Sequence, residues 1–445
     1  MSIAMIPPSP AAPFSVPYEK YTLGNGMRVI LSEDRTVPVV SVYVLYGVGA
    51  RSEEKGRTGF AHLFEHMMFQ GSKNAPKGVH FKTVESNGGT LNGSTHPDYT
   101  DYFEILPSNQ LPVALWLESD RMRGLDISAA NLANQKDAVK QERRLSFDNQ
   151  PYNTAIVDRW PELAFRNWHN SHSLIGSFED LNAATVEDVA KFFRTYYAPN
   201  NAILAVVGDI SIPETRKLIE TYFGDIPAQP QPNHPDLTEP PQEGPRSAVY
   251  RDPLAQVPGV VVGYPGPARR SPDYYALVMA DVVLTAGESS RLHQSLVKGK
   301  QSVVRFEANP GWPFQGPSDY KDPSVYALFL LHKPNFTGKQ IAGQVQEQID
   351  LLAAKGVDAR ELERARTQLR ASRIKEVQSS LRRATLLAQY EMLDGNPAWI
   401  TEELGQFLAV TPEQIQAVAK KYMTPEKRIS LEIVPAPQAA AKESN

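Results

Sequence analysis

Near the middle of the chain the segment Ile226 to Arg246 (IPAQPQPNHPDLTEPPQEGPR) holds seven prolines and shows neither helical nor strand periodicity. Proline locks φ and removes an N–H donor, so such a segment stays extended and stiff, and it divides the 445-residue chain almost in half. The two sides echo each other. Thr185, Glu187, Tyr196, Pro199 and Ile203 recur as Thr411, Glu413, Tyr422, Pro425 and Ile429, all at one offset of 226. In each copy a helical pattern leads to a tyrosine, a proline turn and a run of alternating apolar residues, Ile203 to Val207 and Ile429 to Ile433. Identities at a constant offset favour internal duplication. The expected organisation is a tail over 1–17, a first domain over 18–230, a proline-rich linker over 231–246, a homologous second domain over 247–436 and a tail over 437–445.

Within the first half, Met27 to Leu31 and Val39 to Tyr46 read as strands, and Leu111 to Arg123 and Ala129 to Phe147 as helices. Strands and helices mix without regular βαβ alternation, so the fold class is α+β: two α/β-layer domains related by duplication. In the second half, Val357 to Leu393 contains neither Gly nor Pro and places Leu362, Ala365, Leu369, Ile374, Val377, Leu381 and Ala384 at helical spacing, which predicts a pair of helices packed on a sheet.

The pentapeptide His62-Leu63-Phe64-Glu65-His66 carries the chemistry. Thr58 is placed to cap a helix there and Gly71 to end it. On that helix His62, Glu65 and His66 project from one face. Two imidazoles one turn apart can chelate zinc, and a neighbouring carboxylate can take a proton from water, which is hydrolase chemistry. The spacing is HxxEH, the inversion of the HExxH zinc-peptidase motif. With no cysteine in the chain, a third protein ligand must be His, Asp or Glu, and Glu85, Asp98, Asp101, Glu118 and Glu142 are all eligible. His169 and His172 are spaced like a second pair but sit in a loop-like stretch and read as structural; His80 and His96 offer nothing further.

Composition narrows the class. Hydrophobic content of 41%, charged content of 22% and a formal charge of -4 describe a globular chain with no electrostatic reason to bind nucleic acid. No run approaches the roughly 18 apolar residues of a membrane span. Met1 to Pro17 lacks a basic region followed by a long apolar core, so it does not read as a signal peptide; bacterial periplasm, after removal of a leader, and cytoplasm both stay open.

His62, Glu65 and His66, followed 76 residues after the second His by Glu142 in AVKQERR, resemble the pitrilysin, insulin-degrading-enzyme and mitochondrial-processing-peptidase superfamily of zinc peptidases. The similarity continues at NGSTHPDYTDY (Asn92 to Tyr102), at His172 and at YYAPNNAILAVVGD (Tyr196 to Asp209). The resemblance implies one zinc ion held by His62, His66 and Glu142, with Glu65 as general base toward the bound water. It also implies a glycine-rich strand, GGTLNGST (Gly88 to Thr95), whose edge binds an extended peptide, with Asn92, Gly93 and Ser94 as substrate-binding candidates.

Two departures from the family pattern bear on activity. Seven residues before Glu142, where many members carry a second Glu, this chain has Gln135, which cannot supply negative charge. In the second half, family members that act alone or as homodimers show an Arg and, seven residues on, a Tyr; alignment on Ser290, Arg291, Leu292 and Gln294 places Val297 and Val304 there. Neither valine side chain can hydrogen-bond a substrate. The expected enzyme is therefore a zinc metalloendopeptidase subunit acting on unfolded peptides as a heterodimer, with a homologous partner supplying the Arg and Tyr. The alternatives are a homodimer using Lys298, Lys300 or Arg305 instead, a non-catalytic core-type subunit of the same fold, and an unrelated zinc hydrolase acting on a small molecule.

Overall fold

Thr185 and Thr411 begin their helices by the same device. The computed structural model describes residues 14–311 and 319–437; of the expected tails over 1–17 and 437–445, residues 1–13 and 438–445 lie outside them. In the helix Val186–Tyr196 the Thr185 hydroxyl accepts from the Asp188 N–H while the Asp188 carboxylate accepts from the Thr185 N–H; Thr411 and Gln414 do the same for Pro412–Tyr422. A short turn follows each helix, Pro199–Asn201 or Pro425–Lys427, and then a strand, so the repeated residues in the sequence are one helix–turn–strand unit used twice.

The two strands occupy matching places in two sheets. The first comprises β1 (Glu19–Thr22), β2 (Arg28–Glu33), β3 (Val39–Tyr46), β4 (Thr90–Thr95), β5 (Thr100–Pro107) and β6 (Ala202–Gly208), in the order β1-β2-β6-β3-β5-β4. The second comprises β7 (Arg246–Asp252), β8 (Gly259–Pro265), β9 (Val303–Pro310), β10 (Val325–His332) and β11 (Ile429–Pro435), in the order β7-β11-β8-β10-β9. One parallel pair occurs in each, β2 with β6 and β7 with β11, and every other pairing is antiparallel. Apart from β1 the two orders coincide, as duplication requires, and β4 and β9 are the corresponding edges.

Both faces of each sheet are apolar, and each half covers only one of its own. In the first sheet Val29, Leu31, Val42, Val44, Leu204 and Val206 pack with Phe64, Leu115 and Val139 from helices of the same half. The opposite face, with Ile30, Tyr43, Leu45, Ile203 and Ala205, is covered by Ala384, Leu387 and Ala388 of the helix Ser380–Asp394, which comes from the second half. Reciprocally, Val261, Phe329, Leu431 and Ile433 of the second sheet are covered by Trp160 and Phe165 from the first half. The offset that relates the repeated residues carries Trp160 onto Leu386, so the exchange follows the duplication. Trp160 is fully buried over Gly263, where a Cβ would stand 2.6 Å from its ring.

Several elements differ from the reading of the sequence. Val357 to Leu393 forms two helices, Ala359–Glu376 and Ser380–Asp394, but the second crosses to the other half's sheet, a placement periodicity does not encode. The helix expected over Ala129 to Phe147 stops at Arg143 and continues as a wider π turn, Arg144–Asp148. The proline-rich segment has no helix or strand before Arg246, and its Glu239 carboxylate accepts the Arg166 and Asn167 N–H groups at 2.8 and 3.0 Å, which ties it to the first half.

The exchange predicts that the halves unfold together. Urea titration followed by tryptophan fluorescence and by circular dichroism should give one coincident transition, and Trp160→Ala should lower the whole protein's stability by about 3–5 kcal/mol. Two separated transitions would contradict the reciprocal packing.

Candidate metal centre and substrate cleft

The motif helix, Phe60–Met67, is held at its N-terminus by a carboxylate from outside it. Thr58 does not cap the helix: its hydroxyl donates to Asp180, and the N-cap position is Gly59, at φ 79° with no side chain to offer. Glu53 takes the capping role, its carboxylate accepting the N–H of Gly59 at 3.0 Å and of Ala61 at 2.8 Å. His172 braces Glu53 from the far side, with Nε2 3.0 Å from the carboxylate and 2.9 Å from the Ala50 carbonyl. Burial draws the His172 pKa down, but the hydrogen bond and charge of Glu53 outweigh it and leave it raised. Gly59 also meets Gly176 backbone to backbone, since a Cβ on either would come within 2.7 Å of the other's main chain. The helix ends at Met67, before Gly71.

So anchored, the helix directs His62, Glu65 and His66 toward the last turn of the helix Ala129–Arg143. Glu142 Oε2 lies 3.6 Å from His62 Nε2 and 3.2 Å from His66 Nε2, and the donor atoms of the three residues fall within 4.8 Å of one another. Two ligands at about 2.0–2.1 Å from a tetrahedral zinc stand roughly 3.4 Å apart, so the donor set fits zinc in both chemistry and spacing. Glu142 is free for this because its basic neighbours turn elsewhere: Arg143 pairs with Asp158 at 2.6 Å and Arg144 lies over the Phe178 ring at 5.0 Å.

The electrostatics favour ligation. Burial, aided by His66, lowers the His62 pKa to about 4, so its imidazole is neutral at pH 7. The hydrogen bond to His66 is the main cause that holds Glu142 below the usual carboxylate range. Burial lowers the pKa of His66, yet the hydrogen bond and charges of Glu142 and Glu65 leave it raised. Glu65 is pushed up to about 7, chiefly by burial.

Thr95, which the sequence did not single out, connects the motif helix to the edge strand: its hydroxyl donates to Glu65 Oε2 at 2.7 Å. The pleat of β4 turns Leu91, Gly93 and Thr95 one way and Asn92 and Ser94 the other. Gly93, Ser94 and Thr95 line a cleft of about 340 Å³ with His62, Glu65 and Glu142, and its lining also includes the apolar Phe147, Ile156, Val157, Leu174 and Ile175. Asn92 is not in that lining; it is exposed, and its side-chain oxygen accepts from the Gly93 N–H at 2.9 Å. Of the described residues, only β5 pairs with β4, so the outer edge of β4 presents unpaired backbone groups beside the cleft.

A second buried cluster joins His80, Glu104 and Glu118. Here Arg121 Nε already donates to Glu118 at 2.9 Å and the guanidinium covers the Tyr102 ring at 4.4 Å, so the local positive charge is supplied by the protein. His96 stacks on Tyr99 and approaches Asp101 at 3.2 Å, and His169 Nδ1 lies 3.0 Å from the Arg51 carbonyl.

Comparison with known proteins finds two family models and several relatives that match this chain. The family described as "Insulinase (Peptidase family M16)" matches residues 28–177 and that described as "Peptidase M16 inactive domain" matches 183–369. The "Zinc protease PqqE" of Helicobacter pylori is 30% identical over 420 residues, covering 91% of this chain and 90% of its own length. The "Probable mitochondrial-processing peptidase subunit beta" of Schizosaccharomyces pombe is 25% identical over 414 residues, covering 91% and 88%. A crystal structure of a protease from Helicobacter pylori superposes with a TM-score of 0.88 at 28% identity, over 95% of this chain and 100% of that one.

The raised carboxyl of Glu65 gives a signed pH prediction for the metal-free protein. A folded-state pKa of about 7 against an unfolded value of 4.5 means that this group's contribution to stability is full below pH 4.5 and is lost as pH rises through 7. The stability of wild type relative to Glu65→Gln, from urea melts across pH, should fall over that window; a flat difference would contradict the burial of Glu65.

Proposed function

Because the chain belongs to peptidase family M16, the insulinase family, we propose that it hydrolyses peptide bonds with zinc held by His62, His66 and Glu142 and with Glu65 as general base. The observation that carries this reading is the convergence of three zinc-compatible donors and a buried, proton-accepting carboxylate beside an open strand edge. A zinc ion in such a set acidifies water from a pKa of about 16 toward 7 and polarises a carbonyl. The remaining work falls to the chain. The outer edge of β4 aligns an extended peptide through main-chain hydrogen bonds, a mode that accepts many sequences and requires unfolded substrate. Glu65, held by Thr95, takes the proton from the attacking water and passes it to the leaving amine. The apolar residues of the cleft receive a substrate side chain and limit water around the reacting groups. On this reading Gly93 and Ser94 line the substrate path, and Asn92 acts at most through the outer face of the strand. The units on this reading are the zinc-binding catalytic domain over 18–230 and the homologous non-catalytic domain over 247–436.

Glu65→Gln preserves shape but cannot accept a proton. Peptide cleavage should fall about a hundredfold or more with zinc content unchanged, whereas His66→Ala should lose the metal too. Wild-type cleavage by metal-replete Glu65→Gln would overturn the assignment.

The working form on this reading is a heterodimer. Val304 is exposed on edge strand β9 and Val297 packs against the second half's core, so neither offers a polar contact. The basic residues nearest in sequence to the missing Arg and Tyr each face a carboxylate: Lys298 faces Glu288 and Arg305 faces Glu307, at 3.1 and 3.0 Å, and Lys300 faces Glu347. A substrate group left unpaired there costs about 1–3 kcal/mol. Purified alone, the chain should bind zinc and cleave peptides poorly, and a homologous subunit carrying the Arg and Tyr should restore activity. Full activity of a homodimer on a sizing column would refute this.

A further inference from the structure

The geometry points to a hydrogen-bonded relay, Lys77–Asn134–Gln135, that sets which nitrogen of His66 is free to bind metal. This rests on the reading of His66 as a ligand and adds to it a set of positioning residues. Gln135 lies two turns before Glu142 on the same helix and is buried, with Oε1 3.3 Å from His66 Nδ1. An amide and an imidazole can each present donor or acceptor, so this contact alone has no polarity. Polarity enters from Lys77, whose ammonium can only donate. Its Nζ lies 3.1 Å from Asn134 Oδ1, which requires an oxygen at that position. Gln135 reaches the same oxygen at 2.7 Å and must do so with its NH₂ group, Nε2. That leaves Gln135 Oε1 facing His66, and an acceptor there requires the proton on Nδ1. Glu142, an acceptor 3.2 Å from Nε2, holds a second proton there when no metal is present; once that proton leaves, the Nδ1–H set by Gln135 puts the lone pair on Nε2, directed at the donor set.

His62 has no equivalent: its Nδ1 is buried without a hydrogen-bond partner among the described residues. One ligand is therefore oriented by a neutral amide and the other by packing alone. The amide does not make up for the negative charge absent at position 135, but it preserves the orienting function that an acceptor at this place performs.

Two readouts test the relay. With histidine ring nitrogens labelled, ¹⁵N NMR of metal-free Glu142→Ala protein at alkaline pH, in which no Glu142 carboxylate competes for a proton on Nε2, should show His66 as the Nδ1–H tautomer when Gln135 is present and shifted toward Nε2–H when Gln135→Met is added, a change that keeps shape but removes the acceptor. Zinc affinity by chelator competition should fall about 10- to 100-fold in Gln135→Met and be retained in Gln135→Glu. Lys77→Met, at the surface and touching neither His66 nor Gln135, should weaken zinc in the same direction, and in the Gln135→Met background it should add nothing. An unchanged tautomer, or a Lys77→Met effect that persists in full in that background, would overturn the relay. Because the tautomer is read without metal, it decides the relay even if wild type binds no zinc, a result that would instead sink the proposed function. Should Gln135→Met fail to fold, Lys77→Met alone still decides through the tautomer.

Discussion

Each sheet of this chain has two apolar faces and enough helix from its own half to cover one. The remaining faces are buried by exchange: the helix Ser380–Asp394 lies on the first sheet, and the segment around Trp160 lies on the second. Burying an apolar face is the largest favourable contribution available to a sheet, so the exchange makes the halves mutually dependent. It also positions the site. The segment that ends in Trp160 follows the turn after Glu142, and Asp158 within it holds Arg143 away from the donor set. Packing that serves the second sheet thus constrains a ligand bound to the first.

The centre itself depends on a short chain of local decisions. A carboxylate from Glu53 fixes the start of the motif helix, a pair of touching glycines fixes its approach, and Thr95 ties Glu65 to the edge strand. The same low-dielectric surroundings keep His62 neutral and raise Glu65, because burial disfavours the charged form of each, so a neutral ligand and a carboxyl poised near neutrality emerge from one helix turn.

The sequence made the duplication and the motif legible because both are local or repeated at a fixed offset. The Thr-capped helix, its tyrosine and its strand recur as a unit, and His62, Glu65 and His66 share a helix face by spacing alone. What escaped depended on distant partners. Thr58 looked like the cap, yet Glu53, brought back by a short turn and braced by His172, does that work; no periodic signal marks a carboxylate that caps from outside its helix. Thr95 was passed over in favour of Asn92, Gly93 and Ser94 because strand polarity without register does not say which face meets the helix. The crossing of Ser380–Asp394 was invisible for a related reason: a helix pattern states that a face is buried but not against which sheet.

The central claim is that His62, His66 and Glu142 form one zinc site in this chain. Crystals of the zinc-loaded protein, measured above and below the zinc absorption edge, test it directly. The account predicts a single anomalous peak about 2.0–2.2 Å from His62 Nε2, His66 Nε2 and a Glu142 oxygen; a peak at His80, Glu104 and Glu118 instead, or none at the HxxEH helix, would contradict it.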